Sequence, residues 1–291
     1  MWIYFNDRFV RKEEARVSVF DHGFLYGDGV YETLRSYGPR IFLLNEHVAR
    51  LRRSAELIRL RVPIEDSAWA GILEEAMAHN GVGTAEQDAY IRITISRGPG
   101  EIGLDPALCP SPTIVVITKP LVRPDATLYR NGIHLITAQT RRNQAESLNP
   151  QIKSLNFLNN ILAKQEAIAA GAYDAVMLNT RGEVAECTIS NIFFVAHDRL
   201  CTPAIDCGLL DGLTRNMVLT LARQAQMPID EGHFPVTALQ EATECFVTNT
   251  SSEVLPATRL DGKPIGIGSP GPLTQDLRGR FRRYVDQLLA G

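Results

Sequence analysis

Lysine is scarce in this chain. Only five of its thirty basic residues are Lys, at Lys12, Lys119, Lys153, Lys164 and Lys263. Basic residues are not in excess either: thirty stand against thirty-three Asp and Glu, a net charge of −3, so the electrostatic footprint of a nucleic-acid or anionic-membrane binder is missing. No apolar run reaches about 18 residues, which excludes a membrane-spanning helix from the expected elements. The first twenty residues include Asp7, Glu13 and Glu14 and no sustained apolar stretch, which suits neither a secretory signal nor a transit peptide. The five cysteines, Cys109, Cys187, Cys201, Cys207 and Cys245, are odd in number and form no C-x-x-C. Neither a disulfide framework nor a metal site is therefore expected, and the thiols read as inert groups in a reducing cytoplasm. A small metabolite is the default partner.

What is present is an ordinary globular balance, 45% hydrophobic and 22% charged over 291 residues, long enough for two domains at about 150 residues each. Strand-like runs at 2–5, 30–37, 89–96 and 113–118 mix with two helical patterns. The first shows Val48, Leu51, Ala55 and Ile58 at spacings of three and four behind a cap at Asn45; the second runs over 66–80 and ends at Gly81 and Gly83. Pro120 just before it, Pro124 within it and a terminal Asn-Gly make 121–132 the expected interdomain loop. Beyond it come strands near 133–140, 175–178, 192–195 and 245–248, helices over 156–170 and 213–226, and a C-terminal helix. The class is α/β (α+β), with a smaller domain over 1–120 and a larger one over 133–291.

Two features invite over-reading. Gly98-Pro-Gly-Glu-Ile-Gly103 has the letters of a dinucleotide fingerprint, but the proline-rich run after it cannot open the helix that such a motif needs. The basic run Arg278–Arg283 alternates with Phe281 and Val285, with Leu288 beyond, as a solvated face of an amphipathic helix does.

With so few lysines, a covalent amine catalyst has few possible positions. Lys153 sits among Ile152, Leu155, Phe157 and Leu158 at a turn feeding a helix. Partial burial there would favour the neutral, nucleophilic amine. A structural lysine at a helix start explains the composition equally well.

Six ordered blocks add to this: Val17–Arg35, Asn45–Leu51, Ile152–Asn156, Val184–Asn191, Leu210–Arg215 and Val247–Glu253. In order and spacing they resemble the class IV aminotransferases that use pyridoxal 5′-phosphate. This group, also called fold type IV, includes branched-chain aminotransferases, D-amino acid aminotransferases and aminodeoxychorismate lyases. The resemblance covers nearly the whole chain and is nearest the prokaryotic branched-chain enzymes. It implies a two-domain fold, D-amino acid aminotransferase-like, with the Schiff-base lysine in the larger domain, assembled as a homodimer or a higher oligomer. It also implies a ping-pong transaminase acting on amino acids and 2-oxo acids, with 2-oxoglutarate as acceptor. Lys153 is similar to the lysine that binds the cofactor and shuttles the substrate α-proton. Glu186 resembles the carboxylate facing the pyridine nitrogen, although the residues alone describe an exposed strand-end Glu. Arg50, Leu213, Thr214 and Thr250 resemble the phosphate cup, and Leu210 the residue on the ring face. Tyr31, Tyr90 and Arg92 resemble the substrate pocket, with Tyr26 reaching a neighbouring subunit's site and the amides of Thr250 and Ser251 receiving a carboxylate.

The match has departures. Tyr31-Glu-Thr-Leu-Arg35 resembles the D-amino acid and lyase branches more than the branched-chain one. The loop after Arg97 lacks the Arg-x-His pair of D-amino acid enzymes and is more similar to prokaryotic branched-chain ones. Phe157 stands where many relatives have a tyrosine. D-amino acid aminotransferase, amine transaminase and aminodeoxychorismate lyase therefore stay as alternatives, beside a metabolite-binding protein that has lost the chemistry.

Overall fold

The computed structural model describes residues 1–290. Six strands form one antiparallel sheet: β1 (Trp2–Phe5), β2 (Arg8–Arg11), β3 (Gly29–Tyr37), β4 (Arg40–Ile41), β5 (Ala89–Ser96) and β6 (Thr113–Pro120). Their spatial order is β2-β1-β6-β5-β3-β4. Alternation decides the faces. Ile91, Ile93 and Ile95 are fully buried whereas Tyr90, Arg92 and Thr94 are half-buried, as in a strand with one covered face. The cover comes from two helices, α2 (Leu44–Leu57) and α3 (Ala68–His79), which follow the short α1 (His22–Tyr26). Val48, Leu51 and Ala55 of α2, and Trp69, Leu73 and Ala76 of α3, pack with Val30, Leu34, Ile91 and Ile93 in one core.

Asn45 is not the cap of α2. The helix starts one residue earlier, behind Leu43 in left-handed backbone (φ +51°) and without a side-chain cap. The chain arrives from the β3–β4 hairpin with Phe42 N–H bonded to Arg35 O, so packing rather than a capping side chain sets the start. Gly98 opens no helix: its φ is +95° and a Cβ there would lie 1.8 Å from Ser111 O. The glycine serves a close backbone approach.

The chain divides into two units, residues 1–122 with 152–156, and residues 123–151 with 157 onward. Two corrections follow. Lys153, expected in the larger domain, belongs with the first unit: Tyr31 N–H donates to Lys153 O and Leu155 N–H to Gly29 O, each at 2.9 Å, and Ser154 bridges Val30. The physical reason is an edge: β4 covers β3 only at Ser36 and Tyr37, which leaves the 29–31 end for another segment. The expected interdomain loop also holds a helix, α4 (Ala126–Asn131), capped by the Asp125 carboxylate on Thr127 N–H.

The second unit is built on a nine-stranded mixed sheet. It comprises β7 (Ile133–Thr137), β8 (Asp174–Leu178), β9 (Val184–Cys187), β10 (Asn191–Ala196), β11 (Arg199–Pro203), β12 (Ile229–Gly232), β13 (Glu244–Asn249), β14 (Glu253–Leu260) and β15 (Lys263–Pro264). The order is β12-β11-β10-β13-β14-β7-β8-β9, with β15 folded back on β14. Its helices are α5 (Leu158–Ala169), α6 (Leu213–Gln224), α7 (Val236–Gln240) and α8 (Pro272–Ala290). Every residue of β8 and β9 is buried, the mark of strands covered on both faces. In α8, Leu277, Phe281 and Val285 are buried while the partly exposed Arg280 pairs with Asp276 and Arg282 with Glu253, so part of the basic run is paired within the chain. Among the described residues no helix is long and apolar enough to cross a membrane.

One charged group lies where β3 should be apolar. Glu32 alternates with Val30 and Leu34, is fully buried, and faces α2. Its Oε1 accepts from Arg50 Nε at 2.7 Å and its Oε2 from Arg50 Nη2 at 2.9 Å and His47 Nδ1 at 2.7 Å. Burial alone would raise this carboxyl, but the Arg50 guanidinium and His47 reverse that and hold it far below the usual carboxylate range. Burial pushes the His47 ring down, against the pull of Glu32 and with help from Arg50 and Lys153, so a neutral imidazole donates to the carboxylate. Both groups therefore bind protons more readily in the unfolded chain. Stability of the first unit is full above about pH 6.5, declines below it as unfolded His47 takes up a proton, and declines further below about pH 4.3 through unfolded Glu32. Glu32→Gln strands a buried guanidinium and should cost about 3–5 kcal/mol at neutral pH, while flattening the acid limb. Trp2 and Trp69 both belong to the first unit, so urea unfolding followed by tryptophan fluorescence at several pH values reads this unit directly.

Candidate active site

In the first unit α2 presents a polar face at helical spacing. His47 and Arg50 meet Glu32, and one turn on Ser54 Oγ accepts from Lys153 N–H at 3.2 Å. Two backbone bonds to β3 and one side-chain bond to α2 thus fix the lysine's main chain. Gly29 makes the approach feasible, since a Cβ there would lie 2.6 Å from Ile95 O and 2.7 Å from Leu155 Cδ1. Lys153 itself is half-buried, and its Nζ stands 4.4 Å from the centroid of the Tyr31 ring. The Arg92 guanidinium stands 4.1 Å from the centroid of the same ring. Two cations share one aromatic face system, an attraction between positive charge and the ring quadrupole.

Register explains the gathering. Thr33 faces Arg92 and Arg35 faces Tyr90 across the β3–β5 pair, so Tyr31, Tyr90 and Arg92 lie on the sheet face opposite the helices. The Tyr90 ring lies beneath Lys119 Nζ at 5.1 Å. Tyr26 makes a different contact: its hydroxyl accepts from Gly103 N–H at 3.2 Å, and His22 Nε2 meets Glu101 O at 2.9 Å. Together they hold the 98–103 loop against α1.

The second unit carries a second fixed carboxylate. Glu186 of β9 is buried, not exposed as its strand-end position suggested. Its Oε1 accepts from Arg142 Nε at 2.9 Å, and its Oε2 from Leu210 N–H at 3.2 Å and Asn191 Nδ2 at 3.3 Å. Asn191 Nδ2 also donates to Leu210 O at 2.9 Å. Gly212 follows, and a Cβ on it would fall 1.9 Å from Asn191 Oδ1. That glycine is the N-cap of α6, which begins at Leu213 without a side-chain cap. The amides of its first turn point outward at the positive end of the helix dipole, an arrangement suited to an anion. Arg215, buried, anchors α6 through Glu231 at 2.9 Å and Pro203 O at 3.0 Å.

Thr250 and Ser251 occupy the turn between β13 and β14. Asn249 Oδ1 accepts from Ser251 N–H at 3.0 Å and Ser252 N–H at 2.7 Å, and Asn249 Nδ2 donates to Ser190 Oγ at 2.9 Å. The Ser251 amide thus already has a partner, which it must share with any carboxylate. Sequence reasoning missed Glu32, His47, Arg142, Asn191 and Asn249 as organisers. Only Glu32 left a readable trace, as the one charged residue in an apolar alternation.

Comparison with known proteins bears on the whole of this arrangement. The family Amino-transferase class IV matches residues 29–260. A Methanocaldococcus jannaschii protein that bears the provisional name branched-chain-amino-acid aminotransferase is 39% identical over 282 residues, 97% of this chain and 96% of that one. The D-alanine aminotransferase of Bacillus licheniformis is 33% identical over 285 residues, 98% and 97% of the two chains. The T.th. branched-chain amino acid aminotransferase with pyridoxamine 5′-phosphate superposes with a TM-score of 0.92 at 31% identity, covering 98% of this chain and 93% of that one. The chain belongs to the class IV aminotransferases and has their two-domain fold type IV architecture.

Proposed function

We propose that this protein is a pyridoxal 5′-phosphate-dependent aminotransferase that moves the amino group of a hydrophobic or branched-chain L-amino acid to 2-oxoglutarate in two half-reactions. The donor set fits the cofactor. A fixed lysine with its amine over an aromatic ring, a buried carboxylate braced by Arg142 and a helix start without a side-chain cap match an aldehyde, a ring nitrogen and a phosphate. When bound, pyridoxal 5′-phosphate supplies an aldehyde that condenses with amines and a conjugated ring that takes up electrons from the substrate α-carbon. Lys153 holds the aldehyde carbon at rest and, as a free amine, carries the α-proton. Glu186 keeps the proton on the pyridine nitrogen. Arg50, Leu213, Thr214 and Thr250 hold the phosphate, and Leu210 excludes water from the ring face. Tyr26, Tyr31, Tyr90, Arg92 and the amides of Thr250 and Ser251 receive the substrate.

The observation that supports an L-donor is the similarity, over almost the full chain, to the Methanocaldococcus protein and the T.th. enzyme, whose names refer to branched-chain amino acids. A second reading, a D-amino acid donor, draws support from the Bacillus relative of nearly equal coverage. Mixing the holoenzyme separately with L-leucine and D-alanine and following loss of its visible absorption separates the two. Rapid loss with L-leucine alone is expected; loss with D-alanine alone would establish the second reading. Lys153→Ala should lower turnover at least about a thousandfold while circular dichroism stays unchanged.

A second copy of the chain is part of the same reading. Val19, Phe20, Phe24, Ile102 and Leu104 are all exposed, from 49% to 83%, and Tyr26 ties the two segments that carry them. An apolar surface of this kind marks an interaction face. Sedimentation should give twice the chain mass, and Phe24→Asp should shift the equilibrium toward the single chain.

A further inference from the structure

Away from these residues, one cluster of ligand-type side chains has no part in the chemistry above. His233 follows β12, Cys207 closes the short turn Ile205–Cys207, and Glu183 precedes β9. The Nδ1 of His233 lies 3.5 Å from Cys207 Sγ and 3.2 Å from Glu183 Oε2, and the three ligand atoms all fall within 4.8 Å of one another. On the far side of the ring, His233 Nε2 lies 3.2 Å from Asp206 Oδ2. We propose that Glu183, Cys207 and His233 form a zinc site, with Asp206 orienting the histidine.

The spacing carries the first part of the case. At bond lengths of about 2.3 Å to sulfur and 2.0–2.1 Å to nitrogen and oxygen, tetrahedral ligands stand roughly 3.5 Å (S to N) and roughly 3.3 Å (N to O) apart. Two of the three edges already have those lengths, and a fourth position is open to water. The far side of the ring carries the second part. With a cation on Nδ1, the Nε2–H donates to Asp206 Oδ2 at 3.2 Å, the carboxylate–histidine–metal arrangement of zinc proteins. A sulfur, a nitrogen and an oxygen as donors suit zinc and not magnesium or calcium.

Glu183 Oε2 also accepts from Arg181 Nε at 2.9 Å and Asn179 Nδ2 at 2.8 Å. Its pair with Arg181 involves a guanidinium that is 56% exposed, so rearranging it costs little. Zinc binding at Cys207 displaces the thiol proton, as at any cysteine ligand. The sequence hides the site because the ligands spread over fifty positions with no short motif. Its position is consequential. Glu183 leads into the strand of Glu186 and Cys207 into the segment of Leu210, so the ion would clasp the two stretches that Leu210 N–H and Glu186 already join.

The test is equilibrium dialysis of the purified holoenzyme against zinc chloride, followed by metal analysis. About one zinc per chain is expected for the wild type. Asp206→Asn should weaken binding about 10–100-fold, and Cys207→Ser or His233→Asn by more. His233 is 44% exposed, so its replacement leaves the fold intact even where the buried Cys207→Ser does not. A wild type without zinc, or zinc whose amount and affinity are unchanged in His233→Asn, overturns the proposal.

Discussion

A carboxylate removed from water must either take up a proton or find cations, and the first unit is arranged around one that has found them. Glu32 enters the core from β3 at a position where its neighbours Val30 and Leu34 are apolar. The bidentate Arg50 pair and the His47 hydrogen bond neutralise it and also set the rotation of α2 against the sheet. A helix free to turn by even one residue would carry these groups away. Because His47 and Arg50 are fixed, Ser54 on the next turns faces the lysine segment, and the lysine segment faces Tyr31. The position of the amine is thus inherited from a charge pair that it does not touch.

The second unit solves a similar problem for a different end. Glu186 is also buried beside an arginine, but a backbone N–H and a neutral amide share its second oxygen. Those neutral donors link the carboxylate to Leu210, Gly212 and the start of α6 in one short hydrogen-bonded path. The two glutamates differ in partners more than in burial.

Much of this was legible in the sequence, for identifiable reasons. Alternation at Ile91, Ile93 and Ile95, and the helical spacing of Val48, Leu51 and Ala55, are local signals that survive in the fold. The rarity of lysine narrowed the positions open to a covalent amine, although composition alone allowed Lys153 a structural role equally well. What escaped was non-local. Asn45 has the chemistry of a cap, yet the hairpin before it dictates the helix start. Lys153 lies next to α5 in sequence but joins a strand edge more than a hundred residues earlier. Arg142, Asn191 and Asn249 are ordinary polar residues until folding brings an acceptor to each, and Glu183, Cys207 and His233 share no spacing that a motif could register.

The excursion that places Lys153 has a bearing on how the protein is made. The first unit consists of residues 1–122 and 152–156, so on the ribosome its sheet and two helices can assemble well before its last piece emerges. For the time needed to synthesise 123–151, at about 5–20 residues per second, the edge of β3 at Gly29–Tyr31 lacks this partner while the rest of the first unit has been made. An open strand edge is a template for unwanted pairing. The segment that carries Lys153 is therefore also the one whose arrival pairs this strand edge.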